Sequence, residues 1–227
     1  MGKDNGETKH NGMTRRDFVK ISTTVAAALG GAAALTLPSR AQAADTQTAP
    51  ASKKFLIVDQ KKCAGCMSCM LACSMVHEGS SNLSSARIQI IDDSFAEFPN
   101  DVEIAVCRQC ADPACYYACP LQDKALCIDP KTGVRYINKK ECIGCRKCIE
   151  ACHFTPSRIS FNLKHKVALK CDMCQDTPFW KQTGKQACVE VCPQNAIKFT
   201  SEQPCGHKEY NVNMRGQGWA KLGLPTD

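Results

Sequence analysis

The chain has 227 residues, 18 of them cysteine, and a formal net charge of +7 from 29 Lys and Arg against 22 Asp and Glu. That basic balance carries no nucleic-acid reading: six basic and three acidic residues stand in the first 43 positions, which leaves 23 against 19 beyond them. The 184 residues after position 43 suffice for one or two ordinary domains.

The first element in chain order is a leader. Thr14-Arg15-Arg16-Asp17-Phe18-Val19-Lys20 has the twin-arginine export pattern, followed by a weakly apolar stretch from Ile21 to Leu37 and a small-residue Ala41-Gln42-Ala43 cleavage site. Residues 1–43 therefore read as a signal peptide, cleaved so that the mature chain begins at Ala44 in the periplasm. Seventeen residues diluted by Ser, Thr, Gly and Ala are too short and too polar for a spanning helix. No later run reaches that length either, so membrane association is expected to come through partners.

Beyond a linker at 44–53, short strand-like runs alternate with cysteine loops. The runs are Phe55 to Val58, Arg87 to Ile91, Val102 to Val106, Val134 to Ile137, Arg158 to Phe161 and Ala196 to Thr200. Cys69 to His77 and Cys148 to His153 have the composition of single helical turns. This mixture predicts an α+β, ferredoxin-like architecture.

Sixteen cysteines fall into four sets of four. They are Cys63, Cys66, Cys69 and Cys73; Cys107, Cys110, Cys115 and Cys119; Cys142, Cys145, Cys148 and Cys152; and Cys171, Cys174, Cys188 and Cys192. Many neighbours are three apart in tight loops, where disulfides throughout would demand repeated strain. Zinc sites use two separated pairs, whereas the first and third sets place three thiols within seven residues and a fourth four positions later. That stride is the ferredoxin pattern, in which three thiols hold one [4Fe-4S] cluster and the fourth reaches to another. An oxidised cluster with its four thiolates carries about −2, so four of them turn the holoprotein modestly anionic. The twin-arginine route fits, because it exports proteins already folded around cofactors assembled in a reducing cytosol.

The sets are of two kinds. The first and third share a Lys-rich approach, a Cys-x-Gly-Cys turn and a closing Ala-Cys at 72–73 and 151–152. The second and fourth share Ala-Cys-x-x-x-Cys-Pro, at 114–120 and 187–193. Duplication of a two-cluster unit is the economical explanation.

The C-x2-C-x4-C-x3-C-P form of the second set, the long gap inside the fourth and the order of all four resemble the four-cluster iron–sulfur subunits of dimethyl sulfoxide, polysulfide, nitrite and tetrathionate reductase systems. The likeness covers residues 54 to 200. It implies two nested ferredoxin-like units: an outer one at 54–99 plus 162–200 and an inserted one at 100–161, followed by a tail at 201–227. Carried onto this chain, it implies cluster A on Cys63, Cys66, Cys69 and Cys192, and cluster B on Cys73, Cys171, Cys174 and Cys188. Cluster C falls to Cys107, Cys110, Cys115 and Cys152, and cluster D to Cys119, Cys142, Cys145 and Cys148. Spacing alone leaves a tandem pairing open. Ser74 and His153 follow Cys73 and Cys152 where simple bacterial ferredoxins often have Pro. The segment from Cys69 to Gly79 is also similar to iron–sulfur proteins that accompany tungsten aldehyde oxidoreductases.

The resemblance implies a non-catalytic electron-transfer subunit. Its partners would be a large molybdopterin- or tungstopterin-type catalytic subunit and an integral-membrane quinone-interacting subunit or cytochrome; a free-standing periplasmic polyferredoxin is the alternative. No nucleophile-and-base motif, Walker loop or Rossmann fingerprint is present. Arg108, Arg146, Lys147 and Lys170 flank cysteines and are candidates for tuning cluster potential. Pro178, Phe179, Trp180, Lys181 and Lys185 form either a docking element with an exposed aromatic or a loop folded over its cluster. Met67, Met70 and Met75 are expected to pack around the first cluster. Cys127 reads as a small buried hydrophobe, Cys205 as a free thiol or intersubunit contact, and His77, His153, His165 and His207 as non-ligands.

Overall fold

Among the described residues, eight short strands are joined in four antiparallel pairs. β1 (Phe55–Val58) pairs with β8 (Ile197–Thr200), setting Phe55 opposite Thr200 and Val58 opposite Ile197. Segments far apart in sequence are thereby stitched together. Inside lie three further pairs: β2 (Ile88–Asp92) with β3 (Val102–Val106), β4 (Leu126–Ile128) with β5 (Arg135–Ile137), and β6 (Ile159–Asn162) with β7 (Val167–Lys170).

This is a computed structural model that describes residues 49–98, 100–175, 177–204, 210, 211 and 221. They belong to one compact unit spanning Gln47–Asp227. The expected twin-arginine leader and its expected cleavage site, and Cys205 and His207, lie outside the described residues. Among the described residues, no helix is long and apolar enough to cross a membrane.

Among the described residues there are five α-helices: α1 (Ser68–Glu78), α2 (Ala114–Tyr117), α3 (Lys147–Glu150), α4 (Pro178–Thr183) and α5 (Ala187–Glu190). The fold is α+β and ferredoxin-like, with short strand pairs and short helices carrying cysteine loops. α1 is longer than the single turn expected from composition, because its eleven residues run unbroken to Gly79, whose left-handed φ of 69° ends the helix. Its buried residues Cys69, Met70, Cys73 and Ser74 share one face, which packs on α5.

β4 and β7 have no counterpart among the expected strands. β4 is only three residues long, and β7 lies behind the charged turn Lys164-His165-Lys166 and ends in a lysine. α4 fills the gap between Cys174 and Cys188. Thr177 caps it by accepting from the Trp180 N–H at 3.1 Å, Pro178 opens it, and Gly184 closes it in the left-handed region. Trp180 is half-buried with the Lys54 ammonium 4.2 Å above its ring, so it is not the exposed aromatic that a docking element would present.

Two hydrophobic clusters form the core, and cysteines are integral to both. The larger gathers Leu56, Val58, Ile88, Ile104, Val106 and Ile197 around Cys69, Cys73, Cys107, Cys171 and Cys188. The smaller sets Leu126, Ile159 and Ala168 around Cys148. The hairpins β2–β3 and β6–β7 straddle the expected unit boundaries at 99/100 and 161/162, so strands from either side pair directly.

Candidate iron–sulfur centres

The related cysteine sets share backbone geometry as well as sequence. In Cys63-Ala64-Gly65-Cys66-Met67 and Cys142-Ile143-Gly144-Cys145-Arg146, both the glycine and the residue after the second cysteine are left-handed: φ is 64° and 58° in one, 68° and 63° in the other. At Gly144 a Cβ would stand 2.1 Å from the Lys166 carbonyl oxygen, so the close approach admits only glycine. In the other kind of set the residue before the second cysteine is left-handed, at Gln109 and Met173. Alternation of right- and left-handed residues turns successive N–H groups to one side, the concave arrangement that receives anionic clusters.

The sixteen cysteines meet in four cavities, four to each. Cage A brings together Cys63, Cys66, Cys69 and Cys192. Cage B gathers Cys73, Cys171, Cys174 and Cys188. Cage C is lined by Cys107, Cys110, Cys115 and Cys152, and cage D by Cys119, Cys142, Cys145 and Cys148. In every cage three cysteines come from one segment and the fourth from another. The cages are of similar size, about 300 to 380 Å³ of space between protein atoms, opening to solvent included.

Three of the four cysteines that come from another segment are held where strands begin. Arg87 N–H, just before β2, donates to Cys73 Sγ at 3.3 Å; Arg158 N–H, before β6, to Cys152 Sγ at 3.4 Å; and Ala196 N–H, before β8, to Cys192 Sγ at 3.2 Å. Burial, reinforced by neighbouring thiols, pushes Cys69, Cys148 and Cys174 up to about 12 and Cys115 up to about 11. Cys171 and Cys188 are likewise raised well above the ordinary thiol range by the same causes, whereas Cys66 is lowered by hydrogen bonds from Ser68. Buried thiols of this kind stay neutral on their own and become thiolates against a metal.

All seventeen cysteines of the described residues are free thiols. Among the described residues, no three His, Cys, Asp or Glu side chains converge as a single metal ion requires. One zinc ion would draw four sulfurs to about 2.3 Å from a common centre. Four sulfurs around a wider apolar cage, with N–H donors on sulfur, suit a cluster instead.

Residues 101–202 match the family model described as a 4Fe-4S dicluster domain. The chain is 34% identical over 193 residues to the protein NrfC homolog of Haemophilus influenzae, covering 82% of this chain and 79% of that one. The chain belongs to the 4Fe-4S dicluster family. Other relatives in this iron–sulfur family are the polyferredoxin-like subunit of the aliphatic sulfonate oxidoreductase of Pyrococcus furiosus and the thiosulfate reductase electron transfer subunit PhsB of Salmonella typhi. The first is 35% identical over 65% of this chain and 78% of its own; the second is 31% identical over 63% and 73%.

Around the dicluster cages the charges are arranged unequally. Beside cage B, the Asp172 carboxylate accepts from Arg87, lies 2.9 Å from His77 Nε2, and takes the Cys174 N–H at 3.0 Å. Burial alone would raise Asp172, yet its His77 and Arg87 partners hold it below the usual carboxylate range. The His77 imidazole is correspondingly raised to about 9, its Asp172 partner outweighing burial. Removing one partner of a buried pair leaves the others uncompensated. Asp172→Ala is accordingly expected to destabilise the holoprotein by about 3–5 kcal/mol, read as a lowered Tm. Lys185→Ala, which deletes only the exposed 2.9 Å pair with Glu190, should cost less than about 1 kcal/mol.

Of the flanking cations, Lys170 and Arg108 are buried at cage C, Arg146 lines cage D with its guanidinium 4.2 Å from the Phe161 ring centre, and Lys147 is exposed. Met67 lines cage A and Met70 is buried, its Sδ accepting from Ile90 N–H, but Met75 is 48% exposed and packs around no cage. Cys127 is buried, its thiol donating to the Lys124 carbonyl at 3.2 Å. Arg135 and Arg158, which also line cage C, have no cysteine next to them in sequence. Their side chains become recognisable only once the chain is folded.

Proposed function

We propose that this chain is the electron-relay subunit of an oxidoreductase complex and carries four [4Fe-4S] clusters, one in each of cages A to D. The observation that carries the reading is the gathering of sixteen cysteines into four similar cages. Each bound cluster would take up and release one electron at a time. The protein supplies sulfur ligands, N–H donors that favour the reduced form, and apolar walls that limit water.

The cages follow one another in the order A, B, C, D. Cys69 of A acts electrostatically on Cys188 of B, Cys107 of C on Cys171 of B, and Cys115 of C on Cys148 of D. Cys66 in A and Cys145 in D are exposed, while B and C have no exposed cysteine. An electron would therefore arrive at one outer cage and leave from the other. The catalytic subunit at one end is of the molybdopterin or tungstopterin type, and a quinone-linked membrane subunit or cytochrome stands at the other, on the periplasmic side. Relatives named as electron transfer and polyferredoxin-like subunits support this role.

Purified holoprotein is expected to contain about sixteen irons and sixteen acid-labile sulfides per chain. A reproducible value near eight would mean that two cages stay unloaded. Isolation from the native host tests the partnership: a chain that elutes alone at every salt concentration is a free shuttle and not a subunit.

A further inference from the structure

Cage C differs from the other three in charge. Four cationic side chains line it: Arg108, Arg135, Arg158 and Lys170. All four are buried, with Arg135 wholly inaccessible and Lys170 only 2% exposed. Lys170 Nζ donates to Cys107 Sγ at 2.9 Å and to the Arg135 carbonyl at 3.0 Å. Glu103 neutralises Arg158, and no carboxylate pairs with the other three among the described residues. Arg108 Nε and Nη1, Arg135 Nε and Nη2, and Arg158 Nε and Nη1 find no hydrogen-bond partner there either. Six buried, orphaned guanidinium nitrogens around one cavity imply an anionic occupant.

The other cages lack this excess. Cage A has no cationic lining residue. Cage B has Arg87 and His77, both bound to Asp172, and Glu78 stands 3.9 Å from Arg87. Cage D has Arg146 alone, which is exposed.

We propose that the cluster held by Cys107, Cys110, Cys115 and Cys152 has the highest reduction potential of the four, set by the buried cations Lys170, Arg108 and Arg135. The inference rests on the four-cluster reading. Adding one electron makes a cluster more negative by one charge, and fixed positive charge in a low-dielectric surrounding favours that state. Cage C is then where an electron from B or D comes to rest before it moves on to the other. Lys170 lies next to Cys171 of cage B in the chain and touches Cys107 of cage C, so it acts where the two cages adjoin.

The test is an EPR-monitored redox titration of the full holoprotein, with dithionite as reductant. In Lys170→Gln and in Arg108→Gln, the highest-potential signal should shift to lower potential while the other three stay in place; Lys170→Arg should keep it near the parent value. A merely structural role for these side chains would not move one signal selectively. Cys110→Ala should abolish that same signal. The two neutralising variants act independently, so failure of one to fold leaves the other to decide. A full complement of iron with the highest-potential signal unmoved, or retained in Cys110→Ala, overturns the assignment of potential alone. A parent protein without a cluster on the Cys107 set overturns the four-cluster reading as well.

Discussion

Cys73→Ala is expected to delete the cluster of Cys171, Cys174 and Cys188 and to spare the one on its own helix, held by Cys63, Cys66 and Cys69. Cys73 lies one turn after Cys69 on α1, yet it lines cage B, where Arg87 N–H donates to its sulfur. Iron content should fall by about four per chain, the load of a single cluster. Paired substitutions make the assignment decisive, because residues that serve one unit are not additive. Cys73→Ala with Cys171→Ala should lose no more iron than either alone, whereas Cys73→Ala with Cys63→Ala should lose about twice as much. The opposite pattern would restore a local assignment, in which each motif binds its own cluster.

The second large effect concerns the fold itself. Stripping iron anaerobically with a chelator is expected to abolish cooperative thermal unfolding and most of the strand and helix signal in circular dichroism. Among the described residues the four sheets have two strands each, and such pairs are marginal in water without further packing. Apart from α1, no helix described exceeds six residues, too few to persist alone. Metal binding in small structural domains supplies on the order of 10 kcal/mol, comparable to the whole stability of a typical domain at about 5–15 kcal/mol. Native circular dichroism and an unchanged Tm after removal of iron would refute this dependence.

Much of this was legible in the chain because cysteine spacing is a local property. β1 and β3 fall at their expected bounds, and β2, β5, β6 and β8 within one residue of them. The α+β ferredoxin-like class follows from the same short runs. What escaped depends on contacts distant in sequence. β7 reads as an apolar interval between lysines until Ile159 pairs with Lys170. Arg135 and Arg158 look like ordinary solvated charges, and their burial at cage C is a product of packing. Lys147 shows the reverse: it is adjacent to Cys148 in sequence, but its side chain goes to solvent. Gln109 is the subtlest case, a left-handed residue whose side chain donates to the Cys171 carbonyl at 2.9 Å and accepts the Arg135 N–H at 2.8 Å.

The antiparallel pairing of β1 with β8 has a temporal meaning. A ribosome delivers Phe55 long before Ile197, and Cys63 long before Cys192, so in the crossed assignment clusters A and B wait for the last part of the relay region to emerge. Cages C and D are lined by nothing beyond Lys170 and can close first. A truncated chain ending before Cys188 would thus expose the apolar residues of α1 and β1 with nothing to close over them. Such a product is open to proteases, and only a finished chain presents a sealed surface.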